Sequence, residues 1–156
     1  MGAAASVPSL VELVPGAPLL PTALVRALES GATVRDVVAG TVLLRQRAVV
    51  DDLVVLVTGR IATLVDFTGS GDLVVETTEQ RGRLFGWSAL CEPGRASATV
   101  RADADSQVMM LPLDPVRHGP PSWTAALCEV GAAGLADRTR ELQQRWSGTA
   151  DAGDNA

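Results

Sequence analysis

The sequence predicts a mainly β fold that is flanked by one short and one long helix. Between Ala32 and Leu113, runs rich in Val, Leu and Thr are interrupted by turn residues at about every eight to twelve positions, which is typical of strands. Before and after this region, over 21–30 and 123–146, apolar residues recur at helical spacing. Roughly seven or eight strands at this spacing indicate an all-β sandwich, barrel or jelly roll.

The helices and strands are predicted in chain order from breakers and periodicity. Residues 1–16 form an irregular arm or a short helix, and Pro21–Ser30 forms a short helix closed by Gly31. The stretch 68–72, Thr-Gly-Ser-Gly-Asp, is a hairpin turn between two strands. The predicted strands are Thr33–Val38, Thr41–Leu44, Leu53–Thr58, Arg60–Phe67, Leu73–Thr77, Ser97–Arg101 and Gln107–Leu113.

The segment 123–146 is predicted to be one long helix with an apolar seam, because Gly131 and Gly134 weaken the helix without ending it. Two interpretations of the seam remain open: it packs on the β domain, or it forms a parallel two-chain coiled coil and therefore a homodimer. Residues 147–156 are predicted to be a disordered tail. The heptad positions a and d are occupied by Ala125, Cys128, Ala132, Leu135, Thr139, Leu142 and Trp146.

Composition and charge exclude several classes of function. The chain has 156 residues, a net charge of −5, one His and 13 basic residues, all of them Arg. The length suits one domain. An acidic chain without Lys lacks the basic stripe that non-specific nucleic-acid binding requires. One His cannot supply the imidazole ligands of a His-rich zinc site or of a cupin-type metal centre.

We expect a cytoplasmic protein. The N-terminus lacks the basic segment and long apolar core of a signal peptide, and the longest apolar runs, such as Leu53–Val57, are too short to cross a bilayer. Cys91 and Cys128 show no paired spacing and are expected to be small buried residues in a reducing compartment. The use of Arg in place of Lys, with abundant Ala and Val, is typical of a GC-rich bacterial genome.

Four segments carry a resemblance to a known family. Val38–Gln46 is a strand pair with a turn, and Asp51–Ile61 combines an acidic turn, a strand, a Gly and a second strand. Arg81–Gly86 ends in Phe-Gly, and Ala98–Ala102 follows as a strand. Over residues 17–146 the chain resembles the cyclic nucleotide-binding domain family, in the arrangement of the catabolite activator sensory half without its DNA-binding helix-turn-helix. The resemblance implies a double-stranded β-helix jelly roll whose C-terminal helix is repositioned by ligand.

The resemblance also implies where a ligand binds. In the family, backbone N–H groups and an Arg bind a cyclic phosphate in a cassette that begins at the Phe-Gly pair. The position of the family's ribose-binding Glu holds Trp87, which cannot accept a hydrogen bond from a hydroxyl. The Arg position aligns with Ala96, and Arg95 is displaced by one residue in a loop. The implied ligand is cAMP or cGMP, and the implied binding residues are Phe85, Gly86, Trp87, Ser88, Arg95, Ala96, Ser97 and Trp146.

Three of these residues carry two interpretations each. Trp87 either fills the ribose pocket as an aromatic plug or offers a stacking surface to a different ligand. Arg95 is either a solvated loop residue or the partner of the phosphate. Trp146 either ends the apolar seam of a dimer or stacks on a base. His118 is interpreted as a solvated loop residue.

Two functional hypotheses follow. In the first, the chain is a stand-alone regulatory domain that senses a cyclic nucleotide or related small anion, forms a homodimer through 123–146 and signals to a partner protein. In the second, it is a degenerate, non-binding domain that acts as a protein–protein adaptor or assembly module. We expect no enzyme, because the sequence has no nucleophile elbow, P-loop or dinucleotide-binding motif. Direct binding to nucleic acid or to a membrane is not expected.

Overall fold

The strands form two antiparallel sheets, as the spacing of turn residues predicts. The computed structural model of the chain describes residues 7–90 and 94–153, with the side chains of the last helix described up to 134 and at 139, 140, 143 and 144. The strands of the described residues are β1 (Thr33–Val37), β2 (Val42–Leu44), β3 (Asp52–Thr58), β4 (Ile61–Val65), β5 (Leu73–Thr78), β6 (Leu84–Phe85), β7 (Thr99–Ala102) and β8 (Ser106–Pro112).

The order of the strands is that of a jelly roll, which confirms the predicted fold class. One sheet has the order β1-β8-β3-β6 and the other β2-β7-β4-β5, with antiparallel neighbours throughout. Strand β3 lies inside the first sheet, and its residues Leu53–Val57 are all buried. A run of consecutive apolar residues of this kind requires cover on both faces of the sheet. The second sheet covers one face, and helices cover the other.

The N-terminal helices pack on the outer face of the first sheet. They are α1 (Leu10–Leu13), a 3-10 turn at Ala17–Leu19, and α2 (Thr22–Ser30). The side chain of Leu28 in α2 is fully buried in the same apolar cluster as Leu53. The Glu29 carboxylate accepts a hydrogen bond of 2.9 Å from the Leu10 N–H, which joins α2 to the start of α1. Residues 1–6 of the predicted arm lie outside the described residues.

Two helices follow β8: a single turn, α3 (Asp114–Arg117), and the long α4 (Pro121–Gly153). The sequence predicts helix only over 123–146 and a disordered tail from 147, whereas α4 continues through Gly148 to Gly153. One interior Gly costs a helix about 1 kcal/mol, which does not end it. Residues 154–156 lie outside the described residues. The exposed His118 follows α3, and its ring nitrogen lies 3.4 Å from the Asp114 carboxylate.

Strand β6 and helix α3 are among the short elements that escape prediction from the sequence. Strand β6 has two residues and pairs with Val54 and Val55 of β3, so it has no alternation of its own. Helix α3 is a single turn that begins at Asp114-Pro115, in a stretch that contains only turn signals. The predicted strands and the helix at Pro21–Ser30 differ from the structure by no more than about two residues at either end, which is the usual uncertainty of element boundaries.

The turn between β3 and β4 requires glycine for two reasons. Gly59 has a φ of +109°, and a Cβ atom at this position would lie 2.2 Å from Ser106 Oγ and 2.7 Å from Ser106 Cα. The hydroxyl of Ser106 also accepts a hydrogen bond from the Arg60 N–H, so Ser106 cannot move away freely. Gly40 has a similar φ of +92°, but a Cβ atom there would have no neighbour within 4 Å.

We therefore expect Gly59→Ala to destabilise the fold more than Gly40→Ala. Both variants place a side chain at positive φ, which costs about 1–2 kcal/mol. Gly59→Ala also forces Ser106 to shift, which adds about 1–3 kcal/mol. Urea unfolding followed by circular dichroism measures both free energies of unfolding. Equal losses in the two variants would contradict the close approach of β8 to this turn.

Candidate functional site

A cavity of about 310 Å³ opens between the second sheet and the segment that follows β5. Strand pairing places four side chains in one row across the sheet. Leu44 pairs with Val100, Val100 with Thr63, and Thr63 with Glu76. All four line the cavity. The full lining comprises Leu44, Thr63, Val75, Glu76, Leu84, Phe85, Gly86, Trp87, Ser88, Ala96, Ser97, Ala98 and Val100.

The opposite wall is built around Gly86. Strand β6 pairs with β3 and ends at Phe85, and Gly86 follows with a φ of +93°. A Cβ atom at Gly86 would lie 3.1 Å from Leu44 Cδ1, so the absence of a side chain allows the two walls to approach each other. A 3-10 turn over Trp87–Leu90 comes next. The hydroxyls of Ser88 and Ser97 lie 3.0 Å apart and join this turn to the segment before β7.

The Trp87 side chain connects the cavity to helix α4. A Cβ atom at Gly131 would lie 2.2 Å from Trp87 Cδ2 and 2.4 Å from Trp87 Cγ, so the indole rests on the bare backbone of the helix. Trp87 is half-buried and lines the cavity as well. Neither of the two interpretations of Trp87 given above includes this contact with the protein's own helix.

Arg95 points away from the cavity. Its Nη1 donates a hydrogen bond of 2.9 Å to the Arg47 carbonyl, and its backbone pairs with Val49. Ala96 N–H donates to the Ala48 carbonyl, which sets the register of this short pairing. Ala96 is therefore turned inward, is buried and lines the cavity, whereas Arg95 is exposed and does not. In this structure Arg95 therefore lies outside the lining of the cavity, and its role in binding stays a prediction.

Glu76 is the one charged residue among the described residues that line the cavity. Arg83 Nη2 lies 2.7 Å from each of its carboxylate oxygens. The Arg83 side chain is only 8% exposed, and its Cζ lies 5.7 Å from the centroid of the Phe85 ring. The Arg83 Nε is buried without a hydrogen-bond partner. The pair brings one negative and one positive charge to the rim of a cavity whose other described lining residues are uncharged.

The family model of the cyclic nucleotide-binding domain matches residues 34–118, which includes the cavity and both of its walls. The chain belongs to the cyclic nucleotide-binding domain family. The predicted resemblance is thereby confirmed at the level of family and fold.

Solved structures of this family have the same fold. The regulatory domain of Toxoplasma gondii PKA, solved with cAMP, is 18% identical with a TM-score of 0.66; the match covers 80% of this chain and 48% of that one. The sensor domain of the transcriptional regulator DNR from Pseudomonas aeruginosa is 17% identical, with a TM-score of 0.55 and coverage of 82% and 83%. The Thermus thermophilus catabolite activator protein is 21% identical, with a TM-score of 0.55 and coverage of 84% and 61%.

The chain thus corresponds to about half of the Toxoplasma protein, at an identity that establishes the fold alone. No curated protein matches the sequence.

The cavity brings together most of the residues that the resemblance implies. Six of them line it: Phe85, Gly86, Trp87, Ser88, Ala96 and Ser97. Arg95 lies outside, and the side chain of Trp146 lies outside the described residues, as does Cys91. Sequence reasoning missed Glu76 and Gly131. The sequence marks Glu76 only as a carboxylate that directly follows three apolar strand residues. It marks Gly131 only as a residue that weakens the helix.

The described residues contain no group of three or more His, Cys, Asp or Glu side chains that could hold a metal ion. Among the same residues, no helix is long and apolar enough to cross a membrane.

Gly131→Ala should disturb the Trp87 contact, whereas Gly134→Ala should not. A Cβ atom at Gly134 would have no neighbour within 4 Å, so this variant gains about 0.5–1 kcal/mol of helix stability. A Cβ atom at Gly131 overlaps the indole, and we expect a loss of about 1–3 kcal/mol. Fluorine NMR of 5-fluorotryptophan-labelled protein, with the Trp87 resonance assigned by Trp87→Phe, reports the local change. An unmoved Trp87 resonance in Gly131→Ala would contradict the contact.

Proposed function

We propose that this domain is a regulatory sensor. A small ligand occupies the cavity between the second sheet and the Gly86 segment, and α4 transmits the binding event to a partner protein. The observation that carries the proposal is the position of Trp87, which lines the cavity and rests on α4 at Gly131. A ligand that fills the cavity must touch or displace the 3-10 turn that holds this indole.

The packing at Gly131 makes this transmission direct. The indole touches the helix backbone, so no flexible side chain lies between the two. If the turn at Trp87–Leu90 shifts, either α4 moves with it or a gap opens between the indole and the helix. A gap is unfavourable because the ring face loses its van der Waals contacts. The part of α4 beyond the β domain amplifies a small rotation at Gly131 because it continues to Gly153.

The family's ligands, cAMP and cGMP, are the first compounds to test. The wall of the cavity holds Trp87 where the family has a ribose-binding Glu, and Ala96 where the family has the Arg. Each hydrogen bond to a charged group is worth about 1.5–3 kcal/mol, so the loss of both weakens binding by several powers of ten. We expect calorimetric titration to give dissociation constants for both nucleotides of about 1 mM or weaker.

The orientation of Arg95 also favours the second hypothesis, a non-binding adaptor. The two are separated by a ligand screen on fluorotryptophan-labelled protein. A sensor shows compounds that move the Trp87 resonance together with backbone amides of α4 beyond Gly134. An adaptor shows no compound that does so, and compounds that bind in the cavity and leave α4 unmoved would also exclude the sensor.

Ala96→Arg should raise the affinity for cAMP, and Arg95→Ala should leave it unchanged. Position 96 faces the cavity, so an Arg there supplies the missing cation, with an expected gain of about tenfold or more. Arg95 donates to the Arg47 carbonyl outside the cavity and has no part in binding. Calorimetric titration of folded variants measures both. A loss of cAMP affinity in Arg95→Ala would show that Arg95 reaches the ligand after all.

We infer that the output helix also joins two copies of the chain. The face of α4 that packs on the β domain contains Leu127 and Val130. Three of the four described residues of the predicted seam, Ala125, Ala132 and Thr139, are exposed, and the fourth, Cys128, is half-buried. This exposure argues against the interpretation that the seam packs on its own β domain. It supports the coiled-coil homodimer, in which a and d residues lie between the two helices.

Ala132→Glu should weaken the dimer, and Ala133→Glu should not. Both residues are exposed neighbours on α4, but only position 132 belongs to the seam. A pair of carboxylates in the seam should raise the dimer dissociation constant by about tenfold or more. Sedimentation velocity over a dilution series measures the constant in both variants. Equal behaviour of the two variants, or a monomeric wild type, would exclude this seam as the interface.

A further inference from the structure

A second cavity, of about 600 Å³, lies between the N-terminal stretch that joins α1 to α2, the loop from β5 to β6, and helix α4. The loop touches the end of α1 directly, because a Cβ atom at Gly82 would overlap the Leu13 carbonyl oxygen. Helix α4 closes on the same stretch, since a Cβ atom at Gly16 would lie 3.4 Å from Val130 Cγ1. The volume is within the range of about 300–1,000 Å³ that is typical of small-molecule sites.

Arg83 lines this second cavity and has hydrogen-bond donors that are not in use. A guanidinium carries N–H donors on each of its nitrogens, and Glu76 engages only those of Nη2, at 2.7 Å from both carboxylate oxygens. Neither Nε nor Nη1 has a hydrogen-bond partner among the described residues, although the side chain is only 8% exposed. Donors in such a position are nearly always bonded in folded proteins, so an acceptor is missing here.

The charge of Arg83 is matched by Glu76, so the missing acceptor has to be uncharged. A further charge beside this pair would have no counterion of its own, which is unfavourable in a half-enclosed space. Glu129 and Arg140, which also line the cavity, are exposed to solvent and opposite in sign. A carbonyl oxygen fits this environment because it accepts hydrogen bonds and brings neither a charge nor a proton that needs a partner.

We propose that the second cavity is a ligand site for an uncharged, largely apolar molecule that carries a carbonyl oxygen, and that Arg83 donates a hydrogen bond to this oxygen. Val14, Leu84 and Val130 supply the apolar surface for the body of such a molecule. The proposal goes beyond the sensor function, because this site is separate from the family's ligand cavity and needs no ligand there.

The second site and the family's cavity share one wall. Leu84 lines both cavities. Gly131 lines the second one, and the indole of Trp87, which lines the first, rests on the backbone at Gly131. A molecule in the second site therefore touches the stretch of α4 that holds Trp87. For this reason, the test has to show which of the two cavities a probe enters.

Three probes with the same carbon skeleton test the ligand class. Acetophenone carries a carbonyl, ethylbenzene has no polar group, and 1-phenylethylamine carries a positive charge. Backbone NMR titration of the full chain gives the affinity and the location of each probe. We expect acetophenone to bind about tenfold or more tightly than the other two, because a hydrogen bond to a charged donor adds to its apolar contacts.

The location is read from amides that belong to one cavity only. Acetophenone should shift the amides of Gln80 and Gly82 more than those of Ala96 and Ser97, which line the family's cavity. Equal or tighter binding of either other probe would overturn the ligand class. Shifts centred on Ala96 and Ser97, or no shift with acetophenone, would overturn the site.

Arg83→Lys tests the role of the guanidinium. The variant keeps a positive charge beside Glu76 and loses the donors at Nε and Nη1. We expect the affinity for acetophenone to fall about fivefold or more and that for ethylbenzene to stay the same. Arg81→Lys is the control, since Arg81 Nη1 lies 3.5 Å from the Val57 carbonyl and Arg81 is outside the lining. Unchanged acetophenone binding in Arg83→Lys would contradict the hydrogen bond.

Gly134→Phe tests the position of the site without touching Arg83. Gly134 lines the cavity, and a Cβ atom there would meet nothing within 4 Å, so a ring can enter the space without displacing the fold. We expect acetophenone to bind about tenfold or more weakly to this variant. Ser122→Phe adds the same ring to an exposed position of α4 outside the lining and should bind as the wild type does. Equal affinities of the two variants would exclude this cavity.

Discussion

The contact between Trp87 and Gly131 is the constraint on which the rest of the site depends. The indole fits against α4 only because the helix has no side chain at this position. Gly131 costs the helix about 1 kcal/mol of intrinsic stability, and burial of the ring face offsets that cost. The contact closes one side of the cavity and fixes how α4 leaves the β domain. Together with Leu127 and Val130 it forms the face of α4 that packs on the β domain, and Ala125 and Ala132 are exposed.

The distribution of arginines explains why no cation is among the described residues that line the cavity. The chain has no Lys, so every positive side chain has to come from 13 Arg residues. Several of these act in the frame of the fold: Arg60 pairs with Asp103 at 3.1 Å, and Arg83 is committed to Glu76. Arg117 donates to the Val50 carbonyl beside the start of β3. In a fold whose family binds a charged phosphate, these arginines stabilise turns and strand ends.

Much of the architecture is predictable from the sequence, and the main contacts of the site are not. Turn residues between apolar runs mark the strands, and the Phe-Gly pair at Phe85 marks the cassette, because these signals are local. The contact of Trp87 with Gly131 joins residues that are far apart in the sequence, and no local pattern encodes it. Gly131 looks like a defect of the helix until its partner is known. The orientation of Arg95 depends on a pairing with Val49 that forms only in the folded chain.

Two shifts of a single residue decide which polar side chains line the cavity. Leu73 pairs with Val65, and strict alternation along β5 from Leu73 would place Val75 on the cavity face of the sheet and Glu76 on the opposite face. The bulge at Val75 brings Glu76 to the cavity face instead. On the other wall, the pairing of Val49 with Arg95 turns Arg95 out and Ala96 in. Glu76 enters the lining already paired with Arg83, whose Nη2 lies 2.7 Å from both carboxylate oxygens, so the first shift adds an ion pair and no net charge. The second shift places the apolar Ala96 in the lining where the resemblance implies an Arg. Strand register can therefore change which charged groups line a ligand site without a change in the fold.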